Sequence, residues 1–557
     1  MKLLAPQTFP FDFEEWKKKP FPIRVKMLCQ AWATQGYGAP VSVYVFYILK
    51  IVLYVWLWAI FCSFSTELGG LDTISSWWYH PEAFLKAILW SMVFEGIGLA
   101  SGSGPLTARY FPPFGGILHL ARPSTIKLPF LPDAPLIGGD KRNILDVGLY
   151  LLHLGLIIRC LIAPDLIGTP DLLIPTLILL PILGLLDRTI FLMARAEHYW
   201  IATFCFLFPM DALAGSKVVW WGVWFWAATS KLNRHFPGVI GVMLSNSAVM
   251  RINWVKKKLY KNYPEDLRAS RFSSFLAHTG TALEYGFPLV LLFGGSPEVV
   301  QMGLIVMFLF HLFITANIPM GVPIEWNVMM VYGAYVLFGQ HADVSIFSIG
   351  SPVLITALLI CLLALQLLGN FYPRAVSFLI SMRYYAGNWP YSVWLFKGNA
   401  EEKMDEHVVK ASKTVGKQLD LFYDEPTKEM LLSRVISFRM MHLHARALHQ
   451  LLPKAVDNID DYTWRDGELV AGVALGWNFG DGHLHSEQML KALQKRCNWE
   501  SGELRCIFVE SQPLGIPFMN WRIWDAKDGL IEEGQVGIDN IVDLQPWPEE
   551  NQFEKQL

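Results

Sequence analysis

The sequence contains few charged residues. Asp, Glu, Lys and Arg together make up 17% of its 557 residues, against roughly a quarter in soluble globular proteins. Hydrophobic residues make up 53%, and the mean hydropathy is +0.33. A soluble fold of this length needs more charged surface than this composition supplies. The composition therefore indicates an integral membrane protein that crosses the bilayer several times.

Several familiar motifs are missing. The seven cysteines form no CxxC pair, so neither a disulfide framework nor a zinc module is indicated. A P-loop, a dinucleotide fingerprint, HExxH and GxSxG are also absent, so the common soluble cofactor enzymes are not supported. Basic residues form no tract with interleaved aromatics, which argues against nucleic acid as a partner. Residues 1–39 lack the long apolar core of a signal peptide.

Long apolar runs are abundant, and a membrane span needs about 20 such residues. Ten runs qualify as candidate spans, of which the fifth and sixth are short enough to form a re-entrant hairpin instead. They are Pro40–Phe64, Ala83–Ala100, Ile144–Ala163, Leu172–Ala194, Tyr199–Leu213, Lys217–Leu232, Phe272–Gly294, Val299–Pro319, Val322–Gly339 and Val344–Leu368.

The basic residues of the loops predict the orientation. Lys and Arg gather in the N-terminal arm, in residues 101–143, in residues 233–271 and after the last run, whereas the loops at 64–82, 164–171, 295–298 and 340–343 have none. With ten spans, all basic loops fall on one side, which the positive-inside rule assigns to the cytoplasm. We therefore expect a multi-pass protein of the cell (inner) membrane with both termini in the cytoplasm.

The composition changes abruptly near Gly398. Beyond it, charged helical segments alternate with strand-like runs at Leu469–Trp477, Leu504–Gln512 and Phe518–Asp525, and Asp528-Gly529 is a hairpin signal. The predicted fold is a polytopic α-helical membrane protein with a C-terminal soluble α+β domain. Its predicted parts are a cytoplasmic or interfacial arm (1–39), a transmembrane bundle (40–370), a juxtamembrane segment (371–398) and a cytoplasmic α+β domain (399–557).

Ionisable residues within the apolar runs are candidates for function, because they are costly in lipid and tend to face a cavity or a partner. We expect Lys50 and Lys86 to extend to the membrane surface instead. The ionisable residues in these runs include Lys50, Glu95, His153, Asp187, Arg188, Lys231, Glu284, His311 and Glu325.

Lys231 has the most informative surroundings. It follows small residues on a Trp-rich run, WWGVWFWAATSKLNRHF at 220–236, and small residues leave room for a ligand. A desolvated Lys loses its proton more readily and can act as a general base. Alternatively, Lys231 simply ends a span as part of the positive-inside pattern. Glu284 and His311 are its possible proton partners.

The run Ala227-Ala228-Thr229-Ser230-Lys231-Leu232-Asn233 resembles a stretch of the vitamin K-dependent γ-carboxylases and their bacterial HTTM relatives. The later order of Glu284 and His311 is similar too. The resemblance implies that Lys231 is the base that deprotonates a reduced quinone. Asn233 stands where the carboxylases have Asp, and their lumenal domain has no counterpart here, so carboxylation of protein Glu is not expected.

A closer resemblance covers nearly the whole chain. The stretches SKLNRHFPGVIGVMLSNSAV, NIPMGVPIEWNVMMVYGAYVLFG, MMHLHARALHQLLP and LGWNFGDGHLH are similar to a family of bacterial transmembrane proteins of unknown function that is common in actinobacteria. This resemblance supports the architecture and implies no particular reaction.

A second cluster follows at Pro319-Met320-Gly321-Val322-Pro323-Ile324-Glu325-Trp326-Asn327. Two prolines and a glycine break a helix, which is tolerated at membrane depth where protein or a polar cavity satisfies the backbone. The cluster is either a ligand or proton site or a tight turn between spans. The candidate substrate-binding residues of the chain are Trp224, Asn233, His235, Glu325 and Asn327.

The turn Gly480-Asp481-Gly482-His483-Leu484-His485 brings His and carboxylate side chains close in sequence. Asp481, His483 and His485 could bind a divalent metal. Alternatively, a His-x-His pair in a loop is a structural or solvated feature.

Three functions fit these observations. The first is a membrane-embedded enzyme that acts on a lipid-soluble substrate, a quinol or an isoprenoid lipid, with Lys231 as base. The second is a proton-linked transporter or lipid-handling protein, which would predict pseudo-symmetric halves that the sequence does not show. The third is a membrane scaffold whose cytoplasmic domain binds a protein partner. Membrane lipid and a lipophilic small molecule are the expected ligands.

Overall fold

The computed structural model describes residues 3–100, 115–135, 137–247, 249–250, 252–317, 324–384 and 387–549. Helices dominate as far as residue 371, and a β-sheet with packed helices follows. The helix break expected at Pro319–Pro323 lies outside the described residues.

Helices of the first 371 residues begin and end as follows. They are α1 (Phe13–Lys17), α2 (Phe21–Gln35), α3 (Val41–Cys62), α4 (Ile74–Trp77), α5 (Pro81–Gly96), α6 (Gly115–Leu120), α7 (Ile144–Leu161), α8 (Ile174–Leu186), α9 (Arg188–Met193), α10 (Ala196–Cys205), α11 (Ala212–Thr229), α12 (Phe236–Asn246), α13 (Asn253–Leu259), α14 (Arg271–Phe293), α15 (Pro297–Thr315), α16 (Ile324–Ala334), α17 (Pro352–Leu359) and α18 (Leu365–Phe371).

The remaining elements form a small hairpin between α13 and α14 and the C-terminal region. The hairpin strands are β1 (Tyr260–Asn262) and β2 (Asp266–Ala269). The C-terminal elements are β3 (Tyr391–Lys397), α19 (Glu402–His407), α20 (Val415–Leu419), α21 (Glu425–Met441), α22 (Leu448–Ala455), β4 (Tyr462–Asp466), α23 (Gly467–Ala474), α24 (Glu487–Cys497), β5 (Leu504–Val509), β6 (Phe518–Asp525), β7 (Gly529–Gly537) and α25 (Ile538–Ile541).

Four helical stretches among the described residues are long and apolar enough to cross a bilayer. They are α3, α7, α15 and the continuous Pro352–Phe371, which joins α17 to α18. Ten spans are not confirmed. The run expected at Tyr199–Leu213 is the clearest shortfall, because α10 has ten residues and a helix of that length covers about 15 Å of a hydrocarbon core about 30 Å thick.

Five antiparallel strands of the C-terminal region form a sheet in the order β4-β3-β5-β6-β7. The expected strands at Leu504–Gln512 and Phe518–Asp525 contain β5 and β6, and the hairpin at Asp528-Gly529 joins β6 to β7. The strand expected at Leu469–Trp477 is wrong. That run lies largely in α23, where the Asp466 side chain accepts a hydrogen bond from the Glu468 N–H and caps the helix.

Two elements that position the candidate site were not expected from the sequence. Strand β3 lies within the predicted juxtamembrane segment, yet it pairs with β4 and β5 and is part of the sheet. Helix α12 lies within an expected loop and packs against α2, α14 and α21. The Trp32 Nε1–H donates to the Val242 carbonyl at 3.0 Å. The C-terminal region therefore packs on the helical part through α2 and α12.

Candidate functional site

Lys231 and Glu284 form a buried ion pair. Lys231 lies in the turn after α11, and Glu284 lies in the middle of α14. The Lys231 Nζ donates to Glu284 Oε2, and the two side chains are 5% and 4% exposed. The Phe236 and Phe310 rings lie 5.6 and 5.7 Å from Nζ. The structure thus brings together two of the three residues expected to be catalytic.

A cavity of about 680 Å³ lies beside this pair, between α12, α14 and α15. Among the described residues that line it, Lys231 is the only charged one, and the remainder are almost all apolar. A volume of this size accommodates a drug-sized ligand. The side chains that surround it include Phe236, Ile240, Met243, Leu276, Val306 and Phe310.

The cavity opens toward the outer apolar surface of the helices. Its lining includes Leu283 on α14 and Leu309 and Phe313 on α15, which are 44%, 55% and 43% exposed. Exposed apolar side chains at its edge are compatible with a mouth that faces lipid. A hydrophobic molecule in a bilayer could therefore reach Lys231 without passing through water.

His311, the third expected catalytic residue, does not line the cavity. It is 2% exposed, and the Trp224 Nε1–H donates to its Nε2 at 3.0 Å. Its Nδ1 lies 2.8 Å from Asn327 Oδ1, which can only accept. Both contacts are satisfied when the ring is neutral with its proton on Nδ1. Trp224 and Asn327, expected to bind substrate, instead hold His311.

The first turn of α16 contacts three other helices with three consecutive residues. Glu325 pairs with Lys50 of α3 at 2.6 Å, and both are under 5% exposed. The Trp326 Nε1–H donates to His198 Nε2 of α10 at 2.9 Å. Asn327 contacts His311 of α15. The expectation that Lys50 extends to the membrane surface is therefore wrong, because a buried carboxylate binds it.

Lys86, also expected to extend outward, is buried as well. Its Nζ lies 3.6 Å from Glu82 and donates to the carbonyls of Phe61 at 3.2 Å and Ala163 at 2.9 Å. The carboxylate and the two carbonyls take the place of the water molecules that would otherwise surround the ammonium group. This arrangement explains why the side chain does not reach the surface.

A further buried cluster was missed by the sequence analysis. Glu197 accepts from Arg195 Nε at 3.1 Å and from the Tyr384 hydroxyl, and His198 Nδ1 lies 3.3 Å away. Arg195 has a left-handed backbone conformation, with φ of 52°. The sequence signal was present, because Arg195, Glu197 and His198 form a dense group of ionisable residues at the edge of an apolar run.

Asn233 and His235, expected to bind substrate, lie outside the cavity lining and contact the C-terminal region. The Asn233 Nδ2 donates to the carbonyls of Gln512 at 3.4 Å and Pro513 at 3.3 Å, and its Oδ1 accepts from the Gly515 N–H at 3.1 Å. The His235 ring lies 5.2 Å from that of His444. These residues fix the turn that carries Lys231. Glu325 likewise contacts protein, not the cavity.

The three residues expected to bind metal do not converge. His483 contacts Asp481 at 3.5 Å and Glu510 at 3.1 Å, whereas His485 Nδ1 contacts the Ser392 hydroxyl at 2.7 Å. Over the described ranges, no group of three or more His, Cys, Asp or Glu side chains is placed to hold a metal ion. The two His side chains have different partners, and the prediction of a metal site is not supported.

His483 has an ionic role instead. Burial disfavours its charged form, but the carboxylates of Glu510 and Asp481 outweigh this effect and raise the pKa of His483 to about 9. The same contacts lower the pKa values of Asp481 and Glu510 to about 2 despite their burial. At neutral pH this is a charged triad that joins the 481–485 turn to the end of β5.

Comparison with known proteins identifies one family. The family model described as "transmembrane protein of unknown function (DUF3556)" matches residues 1–556. The searches of curated proteins and of solved structures each gave no match, and no comparison shows the resemblance to γ-carboxylases and HTTM proteins. Because the match covers almost every residue, the chain belongs to this family of transmembrane proteins of unknown function.

Proposed function

We propose that the protein is a membrane-embedded enzyme that acts on a lipid-soluble substrate. The observation that carries the proposal is the Lys231–Glu284 pair at the wall of an apolar cavity. Ionisable groups at membrane depth are expensive and tend to persist where they serve a function. A lipid that enters between α14 and α15 would place its polar end against Lys231.

The pair provides an acid and a base in one contact. In this scheme the proton passes from Lys231 to Glu284, which leaves a neutral amine beside a neutral acid. The amine can then accept a proton from a substrate hydroxyl, and Glu284 can return its proton to the product. In this scheme His311 supports the site, since it lies behind the cavity wall and is held by Trp224 and Asn327.

The cavity favours a substrate with a long apolar body and a small, uncharged polar end. The Lys231–Glu284 pair has no net charge, and other polar groups among the described lining residues are few, among them Thr279 and Asn317. A reduced quinone or an isoprenoid lipid has these properties. A phosphate head group would need more than one cation to replace its water.

The topology expected from the sequence is part of this proposal. Ten spans, with both termini in the cytoplasm of a bacterial cell (inner) membrane, would place the C-terminal region on the cytoplasmic side, where protein partners could reach it. Two exposed positions test this orientation: Glu67, in the loop after α3, and Lys261, in the hairpin after α13. In intact cells, an impermeant thiol reagent should label Glu67→Cys and leave Lys261→Cys unlabelled until the membrane is opened.

The central test compares the lipids that purify with each variant. We expect wild-type protein to carry a mixture of substrate and product, which mass spectrometry would detect as two related lipids. Lys231→Met should retain the substrate alone. Leu276→Trp, which fills the cavity, should retain neither, whereas Leu312→Trp on the exposed face of α15 serves as the matched control.

A lipid-handling protein is the second candidate, because an apolar cavity is sufficient to hold a lipid without chemistry. It predicts the same single lipid in wild type and in Lys231→Met, with loss only in Leu276→Trp. That result would remove the enzymatic proposal and keep the cavity. Equal lipid content in wild type and in Leu276→Trp would remove both.

A further inference from the structure

A small second chamber lies next to the large cavity. It measures about 70 Å³ and is formed where α12 meets α21, the start of α23, residues 378–384, Trp389 and residues 479–480. Val239 and Met243 of α12 line both spaces, so the two share part of their walls. The walls of the chamber are largely aromatic: Phe378, Tyr384, Trp389, Phe438 and Phe479.

Glu468 is the only charged residue among the described side chains that line this chamber. It is 5% exposed, and its Oε1 accepts from the Gly480 N–H at 2.8 Å. Within the ranges that the structure describes, no Lys, Arg or His forms an ion pair with it. Burial, followed by the nearby Asp466 charge, raises the pKa of Glu468 to about 7.

The cations around the chamber already have carboxylate partners. Arg439 donates to both oxygens of Asp466, at 2.6 and 3.1 Å, and Arg195 donates to Glu197. On the far side, His483 and Arg383 balance Asp481 and Glu510. Arg439 also attracts Glu468, but its hydrogen bonds go to Asp466. Glu468 is therefore the one carboxylate of this group without a direct ion pair among the described residues.

We propose that the chamber is a binding site for a primary ammonium group. A buried carboxylate without an ion pair attracts a cation, and aromatic faces that are not already in contact with Arg195, Arg383 or Arg439 add to this attraction. A cavity needs roughly 10–15 Å³ of such space to hold one water molecule, so the chamber, at about 70 Å³, has room for a small group of several heavy atoms. It fits an ammonium group and the carbons next to it.

Two kinds of ligand carry this group. One is a free small amine, which would act as a second ligand beside the lipid cavity. The other is a lipid with an amine at its end, whose chain would pass Met243 into the large cavity. The ammonium site itself does not depend on the proposed reaction at Lys231, because Lys231 does not line the chamber.

The experiment measures thermal unfolding of the full-length protein in neutral detergent with ethylammonium chloride, against equal sodium chloride. We expect the midpoint of wild type to rise by about 1–2 °C at about ten times the dissociation constant. Glu468→Gln keeps an acceptor for the Gly480 N–H and removes the charge, so the rise should disappear. Glu533→Gln, on the exposed β7, and Lys231→Met should both retain it.

A second series distinguishes the two sources of the ammonium group. If the ligand is an amine-headed lipid, decylammonium should bind at least about tenfold more tightly than ethylammonium, because its chain buries apolar surface, and Leu276→Trp should remove that gain without affecting ethylammonium. If it is a free amine, Leu276→Trp should change neither. An equal shift in Glu468→Gln, or no shift in wild type with either amine, would overturn the proposal whatever the outcome at Lys231.

Discussion

The helical part contains two buried Lys–Glu ion pairs that consist of the same groups but have different surroundings. Lys50 and Glu325 join α3 to α16, and Lys231 and Glu284 join the end of α11 to α14. All four side chains are 5% exposed or less. Lys50 also donates to the Ala100 carbonyl at 3.1 Å. Lys231 instead faces a cavity of about 680 Å³.

The difference separates a structural ion pair from a candidate functional one. Burying two charges costs several kcal/mol per ion before their attraction offsets it. At Lys50 the Glu325 carboxylate and the Ala100 carbonyl lie against the ammonium group, so the pair fixes how α3 meets α16. At Lys231 one side of the ammonium group faces the cavity, which a ligand can occupy. The cavity, not the ion pair, therefore distinguishes the two sites.

The largest effect is expected from Lys50→Met. It leaves Glu325 buried without its cation, which typically destabilises a protein by about 3–5 kcal/mol. Unfolding of the purified protein, followed by tryptophan fluorescence, measures the loss. The double variant Lys50→Met/Glu325→Leu should regain most of it, because no unpaired charge remains. A single variant as stable as wild type would contradict a structural role for this pair.

Glu468 is a buried carboxylate that, unlike Glu325 and Glu284, has no Lys in contact with it among the described residues. Its pKa of about 7 lies above that of the unfolded chain, so the folded state binds more protons between about pH 4.5 and 7. The contribution of Glu468 to stability is therefore present at low pH and is lost as the pH rises through about 7. The free energy of unfolding should fall by up to about 3 kcal/mol over this range.

The measurement for Glu468 is the unfolding midpoint across this pH range in wild type and in Glu468→Gln. Asp466, Arg439, Asp481 and the Gly480 N–H surround the carboxyl group in both. As the pH rises, the unfolding midpoint of Glu468→Gln should increase relative to that of wild type, up to about one pH unit above the pKa of Glu468. Parallel curves would show that Glu468 does not titrate in this range.

Lys231→Met should lower the free energy of unfolding by roughly 1–2 kcal/mol. This loss is smaller than the one expected for Lys50→Met. A lipid in the adjacent cavity can bring its uncharged polar end to the freed Glu284 carboxyl group, which reduces the cost of an unpaired charge. The same unfolding assay compares the two variants directly. Equal losses would mean that the cavity gives Glu284 no relief and would weaken the distinction drawn between the pairs.

The smallest effect is expected at the surface of the sheet. Lys454 and Glu532 form an ion pair with both side chains 44% exposed, and such pairs contribute little because water screens them. Lys454→Met should change the free energy of unfolding by no more than about 0.5 kcal/mol. A loss comparable to that of Lys50→Met would show that burial does not govern the ranking.

Much of the architecture could be predicted because long apolar runs have few alternatives. α3, α7 and α15 lie within or largely within expected spans, and β5 and β6 within expected strands. α23 was mistaken for a strand because all of its residues are buried, so helical periodicity disappears from the sequence pattern. α12 was missed because its 11 residues are too few for a span and it stood among basic residues.

The candidate site was predictable only in part. An ionisable residue in an apolar run signals a partner, and Lys231 and Glu284 were expected as such. The sequence did not indicate which residues form ion pairs with each other. Glu325 lies far along the chain from Lys50, and only the packing of α16 against α3 brings the two together. The cavity could not be predicted either, since it depends on the spacing of three helices and on no motif.

The hydrogen bonds of Asn233 have a consequence for how the chain works as a whole. They tie the turn that carries Lys231 to the backbone of residues 512–515, about 280 positions later. A protein cut after α18 would lack these partners of the turn that carries Lys231. If the proposed reaction takes place at Lys231, the loop between β5 and β6 holds the reacting amine in position, and a partner that displaces this loop would change the rate.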